Sequence, residues 1–63
     1  MYTLIDIKDT KTGKIYTREV NFLSEFYTGT EDRREREINE WIKERANPQH
    51  ESKMELVSYR NVK

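Results

Sequence analysis

The chain contains no cysteine, which removes a disulfide framework and every thiolate metal site at once. That suits a reducing compartment, and a cytoplasmic location is expected. Histidine occurs once, at His50, with Glu51 beside it. A zinc site needs three or four ligands at suitable spacing, so no metal is expected. Gly13 and Gly29 are the two glycines, too few for a phosphate-cradling loop. Ser24, Ser52 and Ser58 stand in no Gly-x-Ser-x-Gly turn and would share one histidine. No apolar run approaches membrane-spanning length. The opening residues, MYTLIDIK, read as a strand and lack the flanks of a signal peptide.

A surplus of one charge is missing too. Lys plus Arg and Asp plus Glu number 12 each, and the balance is local. Residues 1–20 carry four basic and three acidic groups, 21–50 five and seven, and 51–63 three and two. No segment is a basic arm or an acidic tail, so charge gives no reason to expect nucleic acid. Glu35, Glu37, Glu40 and Glu44 are interleaved with Arg33, Arg34, Arg36 and Lys43. Acid–base catalysis needs displaced carboxylates in a desolvated cleft, and 63 residues offer little cleft. Neither enzymatic activity nor a cofactor is expected.

What the chain does have is one strong helical stretch, TEDRREREINEWIKERA, expected to form a helix over about 31–46. Ile38, Trp41 and Ile42 recur at helical spacing and Ala46 extends the row. Glu, Arg, Lys and Ala fill most other places. Thr28 with Glu31 fits a capping box, and Thr30 is a rival N-cap. Pro48 disfavours helical geometry at Asn47 and ends the helix. Trp41, the one tryptophan, is expected to bury against the sheet near Ile5, Ile7 and Val20. The turns EDRRERE hold no apolar side chain. They read as a solvated helix end whose Arg stems cover neighbouring aromatics, or as a charged handle of Arg33, Arg34 and Arg36.

Strands are expected over about 2–8, 14–21 and 53–60, rich in β-branched and aromatic residues. DTKTGK turns the first two into a hairpin, with Gly13 free to take positive φ. Pairing Ile5 with Val20 gathers Thr3, Ile5, Ile7, Tyr16, Val20 and Phe22 on one face. It also sets Lys8 opposite Thr17 and Asp6 opposite Glu19. Pairing Leu4 with Val20, through a three-residue loop bulged at Gly13, splits that set. Burial favours the first register. FLSEFY, residues 22–27, is either a short helical turn closed at Gly29 or an extension of the second strand. Its four large apolar groups are expected to close the core. NPQHES reads as a loop. On the third strand Met54 and Leu56 alternate against Val57 and Tyr59.

The fold class that follows is α+β in a single domain, residues 1–63. A three-stranded antiparallel sheet of order 2-1-3 carries one main helix on one face, as ββαβ, or ββααβ if the 22–27 turn forms. The other face stays open. Tyr2, Leu4 and Ile15 are the candidate partner contacts there, joined by one face of the third strand, Val57 and Tyr59 or else Met54 and Leu56, and rimmed by Asp6, Lys8, Thr17 and Glu19. The functional expectation is a protein–protein interaction module, the kind of small chain often found among phage and mobile-element proteins that modulate a host factor. A nucleic-acid-binding module is the alternative, using Lys8, Lys11, Lys14 and Arg18, with Tyr2, Tyr16 and Tyr59 to stack bases. A homodimer through the open face is a third reading.

Overall fold

The computed structural model describes residues 1–49 and 53–63. Strands β1 (Tyr2–Asp9) and β2 (Ile15–Val20) form a hairpin. Helices α1 (Ser24–Thr28) and α2 (Glu31–Trp41) follow, and α2 runs on into a π-helical turn (Ile42–Ala46) and a 3-10 turn (Asn47–Gln49). Strand β3 (Met54–Val62) closes the sheet, antiparallel to β1, in the order β2-β1-β3. The fold is therefore α+β with the expected strand order, and the 22–27 stretch does contain a short helix. His50, Glu51 and Ser52, expected in a loop, lie outside the described residues.

The hairpin adopts neither expected register. Thr3 pairs with Val20, Ile5 with Arg18 and Ile7 with Tyr16, two residues from the favoured pairing. A two-residue slip preserves the faces, because side chains alternate with period two. Thr3, Ile5, Ile7, Tyr16 and Val20 therefore still share the helix side. The turn sets the shift. Asp9 accepts from the amides of Lys11 (2.8 Å) and Thr12 (3.3 Å), and its own amide donates to the Lys14 carbonyl at 2.8 Å. Four residues thus lie between Asp9 and Lys14, and Gly13 takes φ 78°. The shift also places Asp6 opposite Thr17 rather than Glu19, which removes the like-charge clash.

β3 departs further from simple alternation. Its pairing with β1 shifts between Asp6 and Ile7: Ser58 faces Asp6, but Leu56 faces Ile7. Val57 is the extra residue of a β-bulge. The bulge resets which side chains share a side. Met54, Leu56, Tyr59 and Asn61 all fall on the helix side, opposite Asp9, Ile7, Ile5 and Thr3. Tyr59 therefore packs against the core and does not belong to the open face.

Phe26, from α1, is the largest fully buried side chain, followed in size by Ile5, Ile7, Ile38, Met54 and Thr3. Phe22 stacks on it at 4.2 Å between ring centroids, while Tyr27 and Tyr59 meet it edge-on at 5.1 and 6.4 Å. Leu23, expected in the same cluster, precedes α1 and is 76 % exposed. Trp41 is half-buried at the margin of the core, not sealed beneath the helix. Ile38 and Ile42 occupy the central stripe instead, and an indole three residues along from Ile38 falls on its flank.

Thr30, not Thr28, caps α2: its hydroxyl accepts from the Arg33 amide at 3.3 Å. The Thr28 hydroxyl instead donates back to the carbonyls of Ser24 and Glu25. Gly29 ends α1 in an extended conformation, not a left-handed one. Space there is tight: a Cβ would stand 3.0 Å from the Glu25 carbonyl oxygen and 3.1 Å from Arg33 Cδ. The Arg34 guanidinium donates to the carbonyls of Phe26 and Tyr27, both at 3.1 Å, and so ties α1 to α2.

Phe26→Ala should destabilise by about 3–5 kcal/mol, the usual cost of emptying a buried aromatic site. Trp41→Ala should cost only about 1–2 kcal/mol, because part of the ring already meets water. Urea denaturation of both variants checks the order, and a larger loss at Trp41 would mean that Phe26 is not the centre of the core.

Candidate functional site

Both faces of a three-stranded sheet have backbone hydrogen bonds satisfied within the plane, so only side chains decide what each face binds. The helices occupy one face. The pairing places Tyr2, Leu4, Asp6 and Lys8 of β1, Ile15, Thr17 and Glu19 of β2, and Glu55, Ser58, Arg60 and Val62 of β3 on the other. This uncovered face is the candidate site.

Its centre is polar, one end is apolar at Tyr2, Leu4 and Val62, and the other end holds Ile15 beside the charged Lys8 and Glu55, unlike the expected arrangement. Asp6, placed at the rim by the sequence, sits on the middle strand. The Thr17 hydroxyl donates to one of its carboxylate oxygens at 2.6 Å and the Ser58 hydroxyl to the other at 3.0 Å. These two hydrogen bonds, chiefly, hold the Asp6 carboxyl below its ordinary value of 3.8, with a smaller contribution from the charge of Arg60. Leu4, Asp6, Thr17, Ser58, Tyr59 and Arg60 line a shallow depression of about 170 Å³ there. At one end Tyr2 pairs with Val62, and Leu4 is the next residue of Tyr2's row. All three are half-buried. At the other end Ile15 is 55 % exposed, opposite Lys8. Val57, at the bulge, is 52 % exposed.

Of the expected partner contacts, Tyr2 and Leu4 adjoin, Ile15 lies two rows from Leu4, beyond Asp6 and opposite Lys8, Val57 sits on the bulge, and Tyr59 is on the opposite side. Val62 takes the place intended for Tyr59. The sequence offered no sign of this, because the exchange follows from one unpaired residue in β3. Leu23 is the most exposed of the large apolar side chains. It too escaped the sequence reading, which counted it with its buried neighbours.

The charged handle is also divided. Arg34 is engaged with α1 carbonyls. Arg33 forms an ion pair with Glu37 at 3.7 Å, and Arg36 is exposed. The residues proposed for nucleic acid do not gather. Lys8 is on the open face, Lys11 is in the turn, and Lys14 and Arg18 flank Tyr16 on the helix side of β2. Their cationic groups stand 5.1 and 5.3 Å from the Tyr16 ring centroid. That ring is engaged by cations, and Tyr59 is engaged by Phe26. Tyr2 alone of the three tyrosines remains on the open face.

A second feature lies beside the sheet. The outer edge of β3 and the facing side of α2 bound a groove of about 790 Å³, lined by Asn39, Ile42, Lys43, Met54, Leu56 and Val57 among others. At its end the Asn47 side chain accepts from the Met54 amide at 2.7 Å. Among the described residues no group of three or more His, Asp or Glu side chains is placed to hold a metal ion. No described helix is long and apolar enough to cross a membrane. No known protein family, curated protein or solved structure matches this chain.

The depressed Asp6 pKa has a definite sign. A carboxyl whose folded pKa lies below its unfolded value stabilises the fold above the unfolded value, and loses that contribution as pH falls through the folded pKa. Thr17→Ala with Ser58→Ala should move the Asp6 carboxyl back up toward 3.8 and narrow this acid-dependent window. Side-chain carboxyl NMR across an acid titration reads the shift. An unmoved Asp6 would mean that the two hydroxyls do not set its acidity.

Proposed function

We propose that this chain is a non-enzymatic protein-binding module that takes its partner on the uncovered sheet face. The observation supporting this most directly is the apolar group of Tyr2, Leu4 and Val62 at one end of a face that no described element covers, with Ile15 exposed at the other. Contiguous apolar groups on a small domain commonly mark an interaction surface. The chemistry between the two ends defines the partner further. Asp6 holds a negative charge at the centre, so a fitting partner brings apolar side chains to the Tyr2–Leu4–Val62 end and a basic group or hydrogen-bond donor over Asp6. A second copy docked face to face fits poorly. A two-fold axis through the sheet centre would bring two Asp6 carboxylates together, and like charges lose heavily on desolvation.

The test is a double variant, Leu4→Lys with Ile15→Glu, checked for an intact fold by circular dichroism. It should lose capture of the partners that the parent chain retains, by at least tenfold in affinity. A folded double variant that binds those partners as the parent does would remove the open face from consideration.

A further inference from the structure

We propose that the outer edge of β3 is a self-association surface, through which two copies join antiparallel into one continuous six-stranded sheet. The inference rests on the edge and not on the uncovered face, so it stands independently of the partner reading above.

β3 is the longest strand and has a sheet neighbour on one side only among the described residues. Amide directions alternate along a strand. Lys53 directs its carbonyl inward, where it accepts from the Thr10 amide at 3.0 Å. Met54 therefore directs its backbone groups outward, and its N–H meets the Asn47 side chain. Counting onward across the bulge, Leu56, Tyr59 and Asn61 also present their N–H and C=O groups to the outside. An edge of this length is a template for another strand.

The bulge opens to this edge a symmetric register that a regular strand cannot use. In a regular strand, the residues on either side of a midpoint between two positions lie on opposite faces and cannot oppose each other across a two-fold axis. Val57 removes that obstacle. With the axis between Val57 and Ser58, Leu56 of one copy lies opposite Tyr59 of the other, and Met54 lies opposite Asn61. All four are helix-side residues with outward backbone groups, the Met54 N–H being already held by Asn47 within its own chain. Glu55 lies opposite Arg60 of the second copy, both on the open side. The symmetry forms this opposite-charge contact twice. Such cross-strand pairs are favourable and fix register. Neighbouring symmetric registers fail: those centred on Glu55 or on Arg60 set a like charge against itself.

Two further features fit. The groove beside β3 leaves lateral room for an added strand and its side chains, with Ile42 and Leu56 to receive them. Exposed Val57 would be covered at the axis. The other edge, β2, is poorly suited to pairing with its own copy, because Lys14 and Arg18 crowd one side with like charge. Centred on Tyr16, such a pairing would set Lys14 of one copy against Arg18 of the other, and like charges facing each other are unfavourable. A stable dimer buries about 800 Å² per partner, against a surface of 4712 Å² for one chain.

The experiment is sedimentation equilibrium on the full chain and on the exposed-site variants Glu55→Arg and Arg60→Glu. Circular dichroism confirms that each is folded. The parent should dimerise, and each single variant should associate at least tenfold more weakly. Mixing the two single variants should restore a dimer of parental strength, and so should both substitutions in one chain. A monomeric parent, single variants that dimerise like the parent, or a mixture without recovery would each overturn the proposal. The Leu4→Lys, Ile15→Glu variant should still dimerise through β3. Loss of partner capture with dimerisation intact therefore reports on the open face alone.

Discussion

The fold depends on the burial of a single ring, Phe26, between the sheet and the main helix. A three-stranded sheet and one helix in which eight of eleven residues are charged have few large apolar groups to bring together. Phe26 supplies what the first turns of α2 lack. It gathers Phe22, Tyr27 and Tyr59 about itself, and its carbonyl is held by Arg34. The apparently ungrounded charge of EDRRERE thus has a structural use. One of its arginines fastens the short helix that carries the core ring. The same short helix explains why Trp41 need not be sealed. With the centre already filled by a phenyl ring and two isoleucines, the indole can close the margin.

Much of the architecture was legible in the sequence because it follows from periodicity. The Ile38–Trp41–Ile42 spacing and the β-branched strands set the element types. Hydrophobic alternation along β1 and β2 assigned the faces, even though the pairing was displaced by two residues. That displacement depends on the Asp9 side chain capturing two loop amides, a choice local patterning does not encode. What the sequence could not disclose was the bulge at Val57. Its neighbours alternate in either phase, and only the pairing of Ile7 with Leu56 and of Ile5 with Tyr59 reveals the extra residue. The error then passed to the candidate site, where Tyr59 and Val62 exchanged sides. Asp6 was misplaced for a related reason. A rim or a centre is a property of strand order and register together.

The sheet thus has two unequal outer resources. One is a face with a carboxylate in the middle, the proposed site for a partner unlike itself. The other is an edge whose charges are of opposite sign and lie about equally far from the bulge. Keeping the two on different surfaces would let association between copies proceed without occupying the face. The resulting pair would present two such faces side by side.

The π-helical turn at Ile42–Ala46 carries a consequence for how this chain can vary. A π turn is in effect one residue inserted into an α-helix. It sets the phase in which Ala46 remains buried and Asn47 arrives at the start of β3. Each residue of an α-helix advances the side chain by about 100°. A lineage that lost one residue from this turn would rotate Asn47 away from the Met54 amide while leaving Ile38 and Phe26 undisturbed. The helix would keep its core contacts and forfeit its hold on the first residue of the edge strand. Length changes here are therefore a natural route by which the edge could be loosened without unmaking the fold.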